Sequence, residues 1–148
     1  MQRFRFRLSG LLRLRSQLER VSRRTLATAM GNVAVVQHRI AAAGESLRQC
    51  EEHGRGTDGA AQLARSLESG LTRFRWRLER ELRAVEAQLE RARSEWLERK
   101  SEEQSLLKLR VARKSEWRTE QARTEQHELE ELARLRAFAR VAAHEVKS

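Results

Sequence analysis

Four histidines, one cysteine and a run of arginines are the residues whose types could carry chemistry. His38, His53, His127 and His144 are scattered, and Cys50 has no second cysteine to pair with. A zinc site needs ligands at short, regular spacing, and none is present. An unpaired cysteine fits a reducing compartment. A phosphate-cradling glycine loop of the GxxxxGK[ST] type is also missing. Acids and bases are plentiful, but on helix exteriors solvation is their default state. These residues predict no catalysis, no metal and no cofactor.

The arginines are different. RFRFRLSGLLRLR, residues 3–15, holds Arg3, Arg5, Arg7, Arg13 and Arg15 and no acid; the first acid is Glu19. Residues 1–52 carry ten basic and four acidic groups, 53–104 eleven and ten, and 105–148 ten and seven, within a net charge of +10. Such a stretch can be a solvated tail, or it can dock electrostatically to an acidic protein surface. It can also bind RNA through phosphate contact and stacking on the interleaved phenylalanines. A membrane-surface helix fits less well, because residues 3–7 alternate with period two, not 3.6.

The elements that position these groups are helical. The 148 residues include no proline, seven glycines and 35% charged residues. Few aromatics and a mean hydropathy of −0.75 predict a seam between helices in place of a thick core. No window approaches the ~18 apolar residues of a membrane span, and no secretory signal is apparent, so a cytoplasmic protein is expected.

HGRGTDG, residues 53–59, is the one glycine cluster and predicts a turn, with Thr57 or Asp58 capping the second helix. Helix 1 is expected over about 9–52 with Ser9 as N-cap, and helix 2 over about 60–144. The whole chain, 1–148, then forms one all-α antiparallel coiled-coil hairpin whose second helix is longer and overhangs. The helix 1 stripe reads Leu11, Leu14, Leu18, then Leu26, Ala29, Val33, Val36, Ile40, Ala43, Leu47 and Cys50. A stutter at Ser22 separates the two sets. The helix 2 stripe reads Leu63, Leu67, Leu71, Phe74, Leu78, Leu82, Val85, Leu89, Ala92 and Trp96, supported outside by Glu79–Arg83, Glu95–Arg99 and Glu130–Arg134. A reversal centred on Gly56 sets Ile40 opposite Thr72 and Leu18 near Trp96.

Helix 2 then continues for about forty residues, ~60 Å at helical rise. That overhang carries Leu106, Leu107 and Leu109, then Leu129, Leu132, Leu135, Phe138 and Val141. Between them lies a polar stretch whose main apolar group is Trp117. Burying a leucine contributes ~1.5–3 kcal/mol, so a partner is expected. Trp117, with no evident partner in its own chain, is an interface candidate.

Three segments carry a family likeness. FRFRLSGLLRLR (4–15) resembles the F-x-L-x-x-L-L-x-L-R-like opening of the FliJ family of the flagellar type III export apparatus. EQHELEELARLRAFAR (125–140) resembles that family's C-terminal run, with Glu130, Glu131 and Ala133 in its acidic-x-Ala pattern. SEWLERKSEEQSLLKLR (94–110) is similar to its W-x-x-K-like stretch. The likeness spans nearly the whole chain. It departs at Gly10, where many relatives have proline, and in the glycine-rich turn.

The resemblance implies a non-enzymatic antiparallel coiled coil, similar to the central stalk of rotary ATPases. It implies partners too: a hexameric export ATPase, an export gate protein in the inner membrane and substrate chaperones, with no specific nucleic acid. Localisation would be cytoplasmic and peripheral at the bacterial inner membrane. ATPase contact falls to the helix ends. At the start these are Arg5, Arg7, Leu8, Leu11, Leu12, Arg13 and Arg15; at the far end, Glu130, Glu131, Leu132, Leu135 and Phe138. Gate contact falls near the turn, on Val36, Ile40, Ala43 and Leu47 of helix 1. On helix 2 it falls on Leu67, Leu71, Phe74, Trp76, Arg77 and Leu78. The alternatives are the equivalent stalk of a virulence secretion system and a basic coiled coil that binds nucleic acid.

Overall fold

The computed structural model describes residues 3–145. Two long helices pack antiparallel: α1, Ser9–His53, of 45 residues, and α2, Gly59–Glu145, of 87. No strand occurs among the described residues.

Residues 54–58 reverse the chain. Asp58 caps α2, its Oδ1 accepting from the Ala61 amide at 3.0 Å, while its carbonyl accepts the first helical bond from Gln62. Two carbonyls of this turn are met from α2: Arg65 donates to Gly54 O at 2.9 Å and Gly56 O at 3.3 Å. A Cβ on Gly54 would lie 3.0 Å from Cys50 O, so this turn has little room for a side chain there. At the other end, the Leu8 carbonyl accepts the first α1 bond, from Leu12. Leu8 is therefore the N-cap residue, and Ser9, expected in that role, is already helical.

The chain divides into two compact units. One comprises the residues up to Arg13 together with those from Gln104 onward; the other is Leu14–Glu103. In the Leu14–Glu103 unit, the seam on α1 runs through Glu19, Ser22, Leu26, Ala29, Val33, Val36, Ile40, Ala43 and Leu47, all buried or half-buried. These steps alternate three and four without interruption, so the expected stutter at Ser22 is absent. The seam keeps its phase by passing through Glu19 and Ser22, and Leu14 and Val21 are left 50% and 58% exposed.

The α2 seam shows the same displacement near the turn. Ala61 and Ala64 are buried, whereas Leu63, Leu67 and Phe74 face solvent. Small side chains there let the helices approach closely beside the tight reversal, and the larger leucines are rotated out. From Leu78 through Leu82, Val85, Leu89 and Ala92 to Trp96 the expected stripe is the buried or half-buried one. Cross-helix partners lie about one helical turn or more further along α2 than a reversal at Gly56 gives. Trp96 meets Glu19, Arg15 meets Glu102, and Ser16 meets Glu103. Among the described residues the ion pairs within the helices are Arg23–Glu19, Arg48–Glu45, Arg75–Glu79, Arg99–Glu102 and Arg113–Glu116, not the three expected from spacing.

Candidate functional site

The arm before α1 explains the alternation of its sequence. Residues 3–6 are non-helical, and a non-helical chain of period two presents its side chains to opposite sides. Phe4 and Phe6 are half-buried; Arg3, Arg5 and Arg7 are exposed. The Phe4 ring lies 5.9 Å from that of Trp117, tilted by 52°. Trp117 therefore does have a partner in its own chain, contrary to the reading from sequence. The arm and α2 together line a groove with Leu8, Leu109, Arg113 and Glu116. Beside it a second groove is lined by Arg5, Arg7, Arg13 and Arg110 with Ser9, and no acid lines it.

The expected end-contact residues fall into three groups. Arg5, Arg7, Arg13, Leu8 and Leu11 are exposed, as are Glu130, Glu131, Leu132, Leu135 and Phe138. Leu12, at 8%, is covered. Arg15 is ion-paired to Glu102, so its guanidinium is already engaged in the Leu14–Glu103 unit.

From Ala122 to His144 every residue of α2 is exposed. Leu129, Leu132, Leu135, Phe138 and Val141 are between 52% and 73% exposed and recur every third residue. Each step of three falls about 60° short of a full helical turn, so the row winds around the helix and forms no single straight stripe. Close to Leu129, Gln126 donates to Glu130 at 3.1 Å.

Near the turn, the residues expected to meet a gate protein are likewise divided. Val36, Ala43 and Leu78 are 3–4% exposed and serve the seam; Ile40, Leu47 and Leu71 are half-buried. Leu67, Phe74, Trp76 and Arg77 are exposed. Their surface is ordered by cation–π contacts: Arg77 sits 5.8 Å from the Phe74 ring centre and Arg80 sits 5.4 Å from that of Trp76. Leu63, at 62%, joins the surface and was assigned to the seam by its spacing. Its position two residues past the buried Ala61 is the signal that marks it as outward-facing.

One charged group lies inside the seam. Glu19 is 2% exposed; it accepts from Trp96 Nε1 at 2.9 Å and from Arg23 at 2.7 and 3.0 Å. Lys100 stacks on the Trp96 ring at 4.7 Å. Burial pushes the Glu19 carboxyl up. The bonds from Trp96 and Arg23, with the charges of Arg23 and Lys100, outweigh it and hold the group below the usual carboxylate range. Periodicity concealed this layer, because a carboxylate is not counted as a seam residue.

No group of three or more His, Cys, Asp or Glu among the described residues could hold a metal ion. None of the described helices is long and apolar enough to cross a membrane. No curated protein and no solved structure matches the chain. A family model described as Flagellar FliJ protein matches residues 4–142, which takes in most of the arm, all of α1 and all but the last three residues of α2, the winding apolar row included. The chain belongs to the FliJ family of flagellar proteins.

Proposed function

We propose that this protein is the stalk of a flagellar export apparatus: it enters the pore of a hexameric export ATPase with its helix ends, promotes the ring's assembly and turnover, and links it to an export gate and to substrate chaperones. Family membership supports a non-enzymatic export component. The observation that carries the ATPase contact is the exposed row from Leu129 to Val141. A flat partner covers one face of a helix, whereas apolar residues distributed around a helix call for surroundings on several sides. A ring supplies that geometry. Arg5, Arg7 and Arg13 would then meet acidic groups on the ring, with Leu8 and Leu11 adding apolar contact. Arg15 and Leu12 have no part in this, being engaged within the chain.

Gate contact is assigned to the exposed side chains Leu63, Leu67, Phe74, Trp76 and Arg77, which lie on more than one side of α2, and not to the buried Val36, Ala43 and Leu78, which a partner could reach only by opening the hairpin. Peripheral association with the inner membrane follows from that contact. The family match favours the flagellar system over a virulence system. It also favours protein partners over nucleic acid.

The deciding experiment is turnover of the purified export ATPase with and without this chain. Stimulation is expected from the full chain, and little or none after Leu132→Ser, Leu135→Ser and Phe138→Ser are combined. Equal stimulation by that variant would remove the pore-insertion reading.

A further inference from the structure

The basic excess is concentrated in one place. Residues 3–13 and 104–118, which belong to the same compact unit, carry nine basic groups and a single acid, Glu116. Glu116 is already paired with Arg113. Arg5, Arg7, Arg13 and Arg110 line one groove and make no ion pair among the described residues. Two leucines line the adjoining groove together with Arg5 and Arg7: Leu8 and Leu109, 36% and 37% exposed.

Unpaired guanidiniums beside half-open leucines suit an interface that is anionic at its surface and apolar just beneath it. A single-stranded nucleic acid fits less well. It would need aromatic faces for its bases, and Phe4 and Phe6 are turned inward, with Phe4 against Trp117. The exposed leucines would also gain nothing from a phosphate backbone. We propose that this arginine-lined face binds the surface of an anionic phospholipid bilayer directly, with headgroup phosphates at Arg5, Arg7, Arg13 and Arg110 and the neighbouring leucines entering the headgroup layer. Phe4 holds the arm against Trp117 of α2, so the exposed arginines of the arm need less ordering at the moment of binding.

The test is cosedimentation of the full chain with vesicles of phosphatidylcholine alone and of equal parts phosphatidylcholine and phosphatidylglycerol. Binding is expected only to the anionic vesicles, weakening steeply as salt is raised. Arg5→Gln, Arg7→Gln and Arg13→Gln together should weaken it on the order of a hundredfold, at roughly fivefold for each basic residue near the surface. The same three positions changed to lysine should retain it, as should Arg73→Gln, Arg75→Gln and Arg77→Gln near the turn. Equal loss from both glutamine triples would mean diffuse charge and overturn the proposal. So would tighter binding to a single-stranded oligonucleotide at the same salt, or retention of vesicle binding by the arm triple. Arg5, Arg7 and Arg13 are also the residues proposed to meet the ATPase ring, so bilayer and ring are alternative occupants of this face; no ATPase is present in this assay, so its outcome leaves the stalk reading untouched.

Discussion

Glu19 is the residue at which a seam of small and aliphatic side chains becomes polar. Its carboxylate is held by Trp96 from α2 and Arg23 from its own helix, and Ser22 beside it satisfies its hydroxyl on the Glu19 carbonyl. Trp96→Phe keeps the ring and deletes the donor, so thermal or urea unfolding should report a loss of about 1–2 kcal/mol at neutral pH. The pH dependence follows from the lowered pKa. A carboxyl more acidic in the folded state than in the unfolded chain stabilises the fold above its unfolded value of about 4.5. That contribution is lost as pH falls through the lower folded value. Melting temperature followed from neutral to acid should therefore fall below the ordinary carboxylate range, and the fall should be shallower in Glu19→Gln. Identical acid profiles for the two proteins would show that the layer is not an ionic one. A polar layer at one seam position also disfavours pairings in which Glu19 would face an aliphatic side chain, since an unpaired buried charge is costly.

Among the elements, the helices are uneven in support. Gly31 and Gly44 lie in α1, and a Cβ at either would meet nothing within 4 Å. Changing each to alanine should raise stability by about 0.5–1 kcal/mol, because only backbone entropy is at stake. On α2, every residue from Ala122 to His144 is exposed, so tertiary packing adds little to the stability of that stretch. Its amides are expected to exchange much faster than those between Leu78 and Trp96, and to slow when the ATPase is added. The N-terminal arm meets α2 through the Phe4–Trp117 ring contact: Phe4→Ser should shift Trp117 emission to the red, best read in a chain with Trp76 and Trp96 changed to phenylalanine.

For the molecule as a whole, charge and packing are divided between the two units. Leu14–Glu103 holds seventeen basic and fourteen acidic groups and the buried seam; the remainder holds fourteen and seven. The more balanced unit holds the long seam, and the more basic one holds the surfaces proposed to meet the ATPase. Deleting residues 129–148 should thus leave the melting of the hairpin within about 0.5 kcal/mol of the full chain while abolishing ATPase stimulation. A large drop in melting temperature would show that the C-terminal stretch serves the fold.

Much of this was determined by the sequence alone. A single glycine cluster between two long helix-forming segments leaves an antiparallel hairpin as the compact solution, and Thr57 or Asp58 marks the start of α2; the structure selects Asp58. The unequal helix lengths and the exposed leucines after residue 128 were legible for the same reason, since local propensity and composition act within one element. The phase of the seam was not legible at its two ends. Leu11, Leu14, Leu63, Leu67 and Phe74 have seam-like spacing, yet the structure faces them outward and places Glu19, Ser22, Ala61 and Ala64 inside. Only the tertiary structure decides this. An unbroken helix carries its central register into both ends, and close approach beside the turn and pairing across the seam then select small or polar residues over leucines that count as apolar in any periodic sum.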